Sequence, residues 1–478
     1  VPPRQFDTLV ERAREAGKHA YVPRAEATLP DALRNIDWAT YRTIRFRPEH
    51  ALWRDQPGHF EAQFFHLGFI YRTPVDVFVV QGDRTEPLPF SIDHFRYDGV
   101  AAPERTLPLG YAGLRLHTNL NSDGYRDETI VFQGASYFRS LGRGNAFGLS
   151  ARALAIDTGE TTPEEFPRFD ALYLVKPAGD FGSAQRSMWV LATLDSPRVT
   201  GACAFRITPG EETHVDVTLQ LFFREPVRAL GLAPFSSMHL FGEAAPHRFD
   251  AARPEVHDSD GMALWTQAGE RMMRPLQNPE RTRVTNYRLD SPRGFGLLQR
   301  DRAPDSYRDR EQRYEARPSA WVEPIGDWGK GQLRLLEFAT ALESDDNIAT
   351  LWLPDHVPAD GLRVQYRLSF GSDVEHAAFG RVMATRVQSK NEARQQRASF
   401  ELEFDVPHAR SIQTPVELVL TTPGAKVLAQ DVVTSPSGFR ARFELARQDA
   451  HQSAELRAFL RSGADVLTET WSYPWQAK

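Results

Sequence analysis

The 478 residues carry 57 Lys and Arg against 63 Asp and Glu, a net charge of −6, with 41% apolar and 25% charged residues. Such a chain is too long for one compact core and splits into at least two domains, and its composition is that of an ordinary globular protein, neither disordered nor membrane-embedded. The charge balance provides no global field for a polyanion, so nucleic acid is excluded as a partner and the expected ligand is neutral or cationic.

The chain opens on Val1-Pro2-Pro3-Arg4, which lacks the basic and apolar regions of a signal peptide, so any export signal is expected to have been removed already. No apolar run approaches the roughly 18 residues that span a bilayer. Phe6, Leu9, Val10 and Ala13 follow helical spacing and predict one amphipathic helix. Short runs rich in β-branched and aromatic residues then predict strands at 75–80 and 188–194, and the alternation of 213–222 predicts a strand with one buried and one wet face. A large antiparallel sandwich follows. Cys203 is the single cysteine, which rules out an internal disulfide and a cysteine-based metal cluster and reads first as a buried apolar residue. From about residue 380 the strands become compact, at 399–406, 416–421, 439–446, 454–460 and 471–475, the scale of an immunoglobulin-like sandwich. The boundary falls near 369–380, giving domains 1–372 and 380–478. The basic, polar stretch 388–397 reads as an exposed loop or short helix between strands.

Walker, dinucleotide, nucleophile-elbow and His-Glu-x-x-His motifs are absent, and no cofactor is expected. What stands out is acidic residues in glycine-, aromatic- and arginine-rich surroundings between 230 and 350. These residue types suit a sugar site, where aromatic faces cover a pyranose, Arg and Asn hold hydroxyls, and two carboxyls move protons at the glycosidic bond. His257-Asp258-Ser259-Asp260-Gly261 precedes Trp265 and Arg274, and it reads equally as an Asx turn or a calcium loop. Glu343-Ser344-Asp345-Asp346-Asn347 is an acidic turn before an apolar strand; it lacks EF-hand spacing, so metal binding is the weaker reading. Trp321, Glu323, Asp327 and Trp328 among close glycines suit a sugar-lined groove or a packed β-bulge. Tyr137 and Tyr314 are candidates for hydroxyl contacts or core residues with a satisfied hydroxyl.

Seven separated blocks carry a family resemblance: Gln63 to Gly68, Gly134 to Arg139, Gly148 to Arg152, Glu164 to Pro167, His257 to Asp260, Gly294 to Gln299 and Arg317 to Pro324. In this order they resemble the periplasmic glucan biosynthesis protein G/D family, and in detail its D member. The likeness implies a periplasmic protein with a galactose-mutarotase-like β-sandwich followed by an immunoglobulin-like domain, homodimerisation, and a membrane glucosyltransferase as a possible partner. It also implies inverting glycoside-hydrolase chemistry on β-1,2-glucan, with Asp346 as general acid, kept protonated by its surroundings, and Asp258 as general base acting through a chain of hydroxyls near Tyr314. Such a remote base tolerates a carboxyl separation beyond the usual roughly 6.5 to 9.5 Å of inverting enzymes. Tyr137, Arg139, Arg152, Trp265, Arg274, Arg317, Trp321, Glu323 and Trp328 are the expected substrate contacts.

One departure bears on the reaction. The family carries a longer insertion after the block Arg381 to Arg386, whereas about ten polar residues follow it here. A shorter loop favours attack by a sugar hydroxyl over water, giving a cyclised glucan with an α bond. Hydrolysis of the same chain and non-catalytic glucan binding are the alternatives. A mutarotase-like reading of His66 and His257 is weaker.

Overall fold

The computed structural model describes residues 1–55, 60–177, 187–245, 252–376, 379–392, 395–447 and 453–475. The protein is mainly β, as its residue pattern predicts. It divides into two compact units, one of Val1–Phe235, Pro324–Leu333 and Leu351–Gly371, the other of Ser236–Glu323, Arg334–Thr350 and Ser372–Lys478.

In the first unit, strands Asp76–Gln81, Arg168–Val175, Met188–Asp195, Val199–Thr208, Thr213–Phe223 and Leu362–Gly371 lie side by side, antiparallel except for the first pair. The alternation of Thr213–Phe223 does what it predicts: Val215, Val217, Leu219 and Leu221 are buried while His214 and Asp216 reach the surface. A second array runs through Phe60–His66, Tyr111–Ser122, Tyr125–Gln133, Tyr137–Ser140 and Ser150–Arg152. Gly113 is required there, because a Cβ would stand 2.2 Å from the carbonyl oxygen of Phe132. The core joins the two arrays, with Phe132 and Phe138 meeting Phe205 edge-on at 5.3 and 5.2 Å.

The expected amphipathic helix spans Gln5–Ala16 and buries Phe6, Leu9, Val10 and Ala13. They pack on Val80, Tyr173, Leu191, Ala202, Ala204 and Phe222. Cys203 lies on a neighbouring strand position, fully buried, and burial pushes its thiol pKa up.

The second unit contains strands Gly261–Thr266, Arg271–Pro275 and Pro292–Leu298, the first pairing antiparallel with both others. Its C-terminal part is an antiparallel sheet in the order Arg381–Glu392, Gln395–Asp405, Gly438–Arg447, Ala425–Thr434. Val416–Thr421, Ala454–Ser462 and Thr470–Trp475 pair separately. Phe400 stacks on Phe443 at 4.9 Å and meets Trp471, Tyr473 and Trp475 edge-on, closing a core between the two groups. The loop or short helix expected over 388–397 is instead the two arms of a hairpin, paired from Arg381↔Asp405 to Glu392↔Gln395. Arg386, Gln388 and Ser389 are exposed there, so a strand wet on both faces carries no apolar alternation to announce it.

Leu9→Ala removes a fully packed side chain from the helix–sheet contact and is expected to cost about 3 kcal/mol. The urea midpoint of the first unit's unfolding transition reads this directly.

Candidate active site

The site grows from a two-strand contact in the second unit. His239–Phe241 runs antiparallel to Val256–His257 with His239 opposite His257, and the two imidazoles stack at 5.0 Å and 13°. One residue beyond each, the Asp258 N–H donates to the Met238 carbonyl at 2.8 Å. Asn347 supplies a third partner with its side chain. Its Oδ1 accepts from the His239 N–H at 2.8 Å, and its Nδ2 donates to the carbonyls of His239 and Phe338 at 3.0 and 3.2 Å. The amide thus acts as one residue of an added strand, satisfying a buried backbone. Asp346, next in the chain, is thereby held beside the strand that also fixes Asp258. Asn278 repeats the device at the turn's other end, donating to Leu240 and Thr340 carbonyls and accepting from the Thr340 N–H.

A line of charged and hydroxyl groups runs from Asp258. Its carboxylate lies 3.2 Å from Arg317 Nε, and that guanidinium covers the Tyr314 ring at 5.4 Å. The Tyr314 hydroxyl donates a short hydrogen bond to Glu343. Glu343 receives a bidentate contact from Arg253 at 3.0 and 2.7 Å, and Arg253 also donates to Asp309 at 2.9 Å. Burial, the bond to Glu343 and the charges of Glu343 and Asp258 all push the Tyr314 pKa up, so the phenol keeps its proton at neutral pH. The Arg253 hydrogen bond outweighs burial and holds Glu343 below the usual carboxylate range. Asp258 is partly buried, with 14% of its side chain exposed, whereas Asp346 is open to solvent.

Behind this line lies a buried cation. His257 Nε2 is 2.7 Å from Glu255 and Nδ1 is 2.9 Å from Gln299 Oε1. Gln299 Nε2 faces the His257 carbonyl, the Tyr307 hydroxyl and the Tyr314 carbonyl, all near 3.0 Å, so its oxygen must face the ring. A carboxylate and an amide oxygen can only accept, hence both ring nitrogens carry protons. Burial opposes that charge, but the bond and charge of Glu255, with Asp260 and Gln299, hold the His257 pKa up at about 9. His239, whose Nδ1 meets the Ser259 carbonyl at 3.0 Å, is pushed down to about 3 by burial and by the neighbouring His257 charge.

A family model described as "Periplasmic glucan biosynthesis protein, MdoG" matches residues 5–475. The chain belongs to this family. It is 39% identical to glucans biosynthesis protein G of Shewanella frigidimarina, covering 98% of this chain and 84% of that protein. It is 40% identical to glucans biosynthesis protein D of Stenotrophomonas maltophilia R551-3, covering 99% and 90%. The G protein of Rhodopseudomonas palustris BisA53 is 39% identical over 99% and 94%.

Of the positions carried over from the family, Asp258, Tyr314 and Arg317 form one contact line, and Asp346 stands on the turn that Asn347 anchors. Elsewhere in that unit, Arg274 is fully buried and paired with Glu337 at 3.0 Å. The guanidinium groups of Arg271 and Arg293 cover Trp265 at 3.8 and 4.2 Å. Trp321 is buried over Gly294, and Glu323 is exposed. In the first unit, Arg152 is buried between Tyr137 and Phe166 and bonded to Glu164 at 2.6 Å. Arg139 covers Phe147 at 4.9 Å, and Trp328 is buried against Tyr366. Sequence reasoning gave no role to Glu343, Arg253, Asp309, Glu255 or Gln299. Glu343 opens the acidic turn and Gln299 closes a family block, so both were within reach.

A histidine whose pKa is raised by folding stabilises below its unfolded value and loses that contribution as pH rises. Stability should therefore fall between about pH 6.5 and 9, and Glu255→Gln should remove this fall; urea midpoints across that range test it. Asn347→Leu strands the His239 N–H and carbonyl and is expected to cost about 1–3 kcal/mol, read as a lowered urea midpoint.

Proposed function

We propose that this protein remodels β-1,2-glucan in the periplasm as an anomer-inverting enzyme of glucan biosynthesis. The contact line from Asp258 through Arg317 and Tyr314 to Glu343, three residues before Asp346, is the observation that carries the reading. Asp346 gives its proton to the leaving glycosidic oxygen as the C1–O bond breaks. An incoming oxygen bonds to C1 from the opposite face, and its proton passes along hydroxyls near Tyr314 to Asp258. The configuration changes from β to α, and the cycle closes as Asp258 releases its proton to solvent and Asp346 takes one up. Asp346 is exposed in the free protein, so the dry surroundings that favour its acid form come from the bound glucan. Asp258 is paired with Arg317, which covers the Tyr314 ring, and the Tyr314 phenol keeps its proton. Attack by a hydroxyl of the same chain closes a ring through an α bond, and attack by water releases reducing oligosaccharides; the short hairpin 381–405 favours the first.

The test is incubation with linear β-1,2-glucan, products being resolved by mass and by anomeric proton signals beside Asp346→Asn. Products one water lighter than the linear chain, with a new α signal, are expected; the variant should lose about 10²- to 10⁴-fold in turnover while still binding glucan. Reducing ends in place of rings would mean hydrolysis. An unchanged glucan with both proteins would leave a binding role beside a membrane glucosyltransferase.

A further inference from the structure

Strand Arg381–Glu392 of the C-terminal sandwich reaches the stacked imidazoles through the segment that follows His239–Phe241. The Thr385 N–H donates to the Glu243 carboxylate at 3.0 Å, and Arg386 Nε lies 3.1 Å from its other oxygen. The Val387 N–H donates to the Glu243 carbonyl at 3.3 Å, and the Tyr473 hydroxyl donates to the Ala244 carbonyl at 2.7 Å. Thr385 is itself fixed by Trp471, whose indole N–H donates to its hydroxyl at 3.0 Å. On the far side Gly242 lies against the rings, where a Cβ would stand 3.3 Å from His257 Cδ2 and 3.4 Å from His239 Cε1. Residues 242–244 thus join the sandwich to the segment whose Met238 carbonyl accepts from the Asp258 N–H.

The joint encloses an excess of acids. Glu243, Glu255, Asp260 and Asp301 line one cavity of about 30 Å³ together with His239 and His257. Asp260 accepts from the Arg300 and Asp301 N–H groups at 2.6 and 2.9 Å, and Glu255 is held by the His257 imidazolium. Glu243 meets the charges of Glu255 and Asp301 on one side and of Arg386 on the other. Arg386 is in turn shared with Glu401 and Glu403, at 3.3 and 3.4 Å. Four carboxyls around one imidazolium and a shared guanidinium are not all ionised together, because each charge disfavours the next where water is scarce. Burial and the Glu255 charge push the Glu243 pKa up to about 7, against the pull of Arg386 and the Thr385 N–H.

From this arrangement we infer that Glu243 is a proton-sensitive clasp through which the C-terminal sandwich positions the His239 strand and, with it, Asp258. With its carboxyl neutral, Glu243 accepts from Thr385 and adds no charge to the cavity. Ionised, it sets a further charge beside Glu255 and Asp301 in exchange for a guanidinium that two other carboxylates share, and the joint loosens. Glu243 acts through the strand, so it is a positioning residue. Its bearing on the reaction rests on the role proposed for Asp258; the clasp itself does not. A carboxyl whose pKa is raised by folding holds its proton more tightly in the folded chain. Its contribution to stability is therefore complete below about pH 4.5 and lost as pH rises to about 7.

The clasp is read without turnover, from urea midpoints of the second unit's unfolding transition across this range. The whole chain is compared with Glu243→Gln, whose amide oxygen still accepts from Thr385 and cannot ionise. From the lower to the upper end of the range the folding equilibrium of the unaltered protein should weaken at least about tenfold more than that of the variant. Arg386→Gln removes the guanidinium that favours the ionised form, so its fall should continue to higher pH. Glucan turnover against pH then reads the positioning. The alkaline limb should move to higher pH in both variants, whereas a merely structural loss would scale the whole profile down. An equal weakening in Glu243→Gln would overturn the clasp, and limbs at the same pH in all three proteins would overturn its positioning role. Glucan left unchanged by all three would overturn the proposed reaction, and the midpoints alone would then decide the clasp.

Discussion

The arrangement around Asp258 depends on a charge kept away from water. A buried imidazolium persists only where its attraction to a carboxylate repays the desolvation of both, which needs every remaining proton and lone pair to be satisfied. Glu255 and Gln299 meet that condition for His257, and Gln299 spends its amide protons on the next layer outward, the Tyr307 hydroxyl and the Tyr314 carbonyl. The position of Tyr314 is therefore fixed from behind by a charge it never touches. Arg317 and Glu343 then fix its ring and hydroxyl from the front. A side chain held on three sides is preorganised, and preorganisation is what proton transfer needs from its intermediates.

Two amides, Asn278 and Asn347, perform a related task without charge. Each treats a strand edge as a partner and ties the acidic turn to Leu240 or His239. The turn can thus carry exposed carboxylates and still be rigid at its root. The backbone of Asp346 is anchored by its neighbour Asn347.

The sequence made the regular parts of this protein easy to read. The helix spacing of Phe6, Leu9, Val10 and Ala13 and the alternation of Thr213–Phe223 both follow from one buried face, a property of neighbouring residues. The outer end of the hairpin, from Gln388 to Arg397, escaped because its residues are polar, whereas the inner part buries Phe400, Leu402 and Phe404. Asp258 and Arg317 lie in family blocks and Tyr314 just before one, whereas Arg253, Asp309 and Glu255 lie in none. Arg253 meets Glu343 across 90 residues, and Arg274 meets Glu337 across 63. An arginine reads alike in sequence whether it will face a ligand or a buried carboxylate, because the choice is made by residues far along the chain.

Cys203 sits at zero exposure in the sheet beneath the N-terminal helix, with its thiol pushed towards the protonated form. A thiol is oxidised as its thiolate and only where an oxidant can reach it. The Cys203 thiol of the folded chain is therefore shielded from change between reducing and oxidising surroundings. With one cysteine among its 478 residues, the chain has no internal disulfide to form or reshuffle as it refolds, and the slow steps left to it are strand pairing and the isomerisation of its 33 prolines.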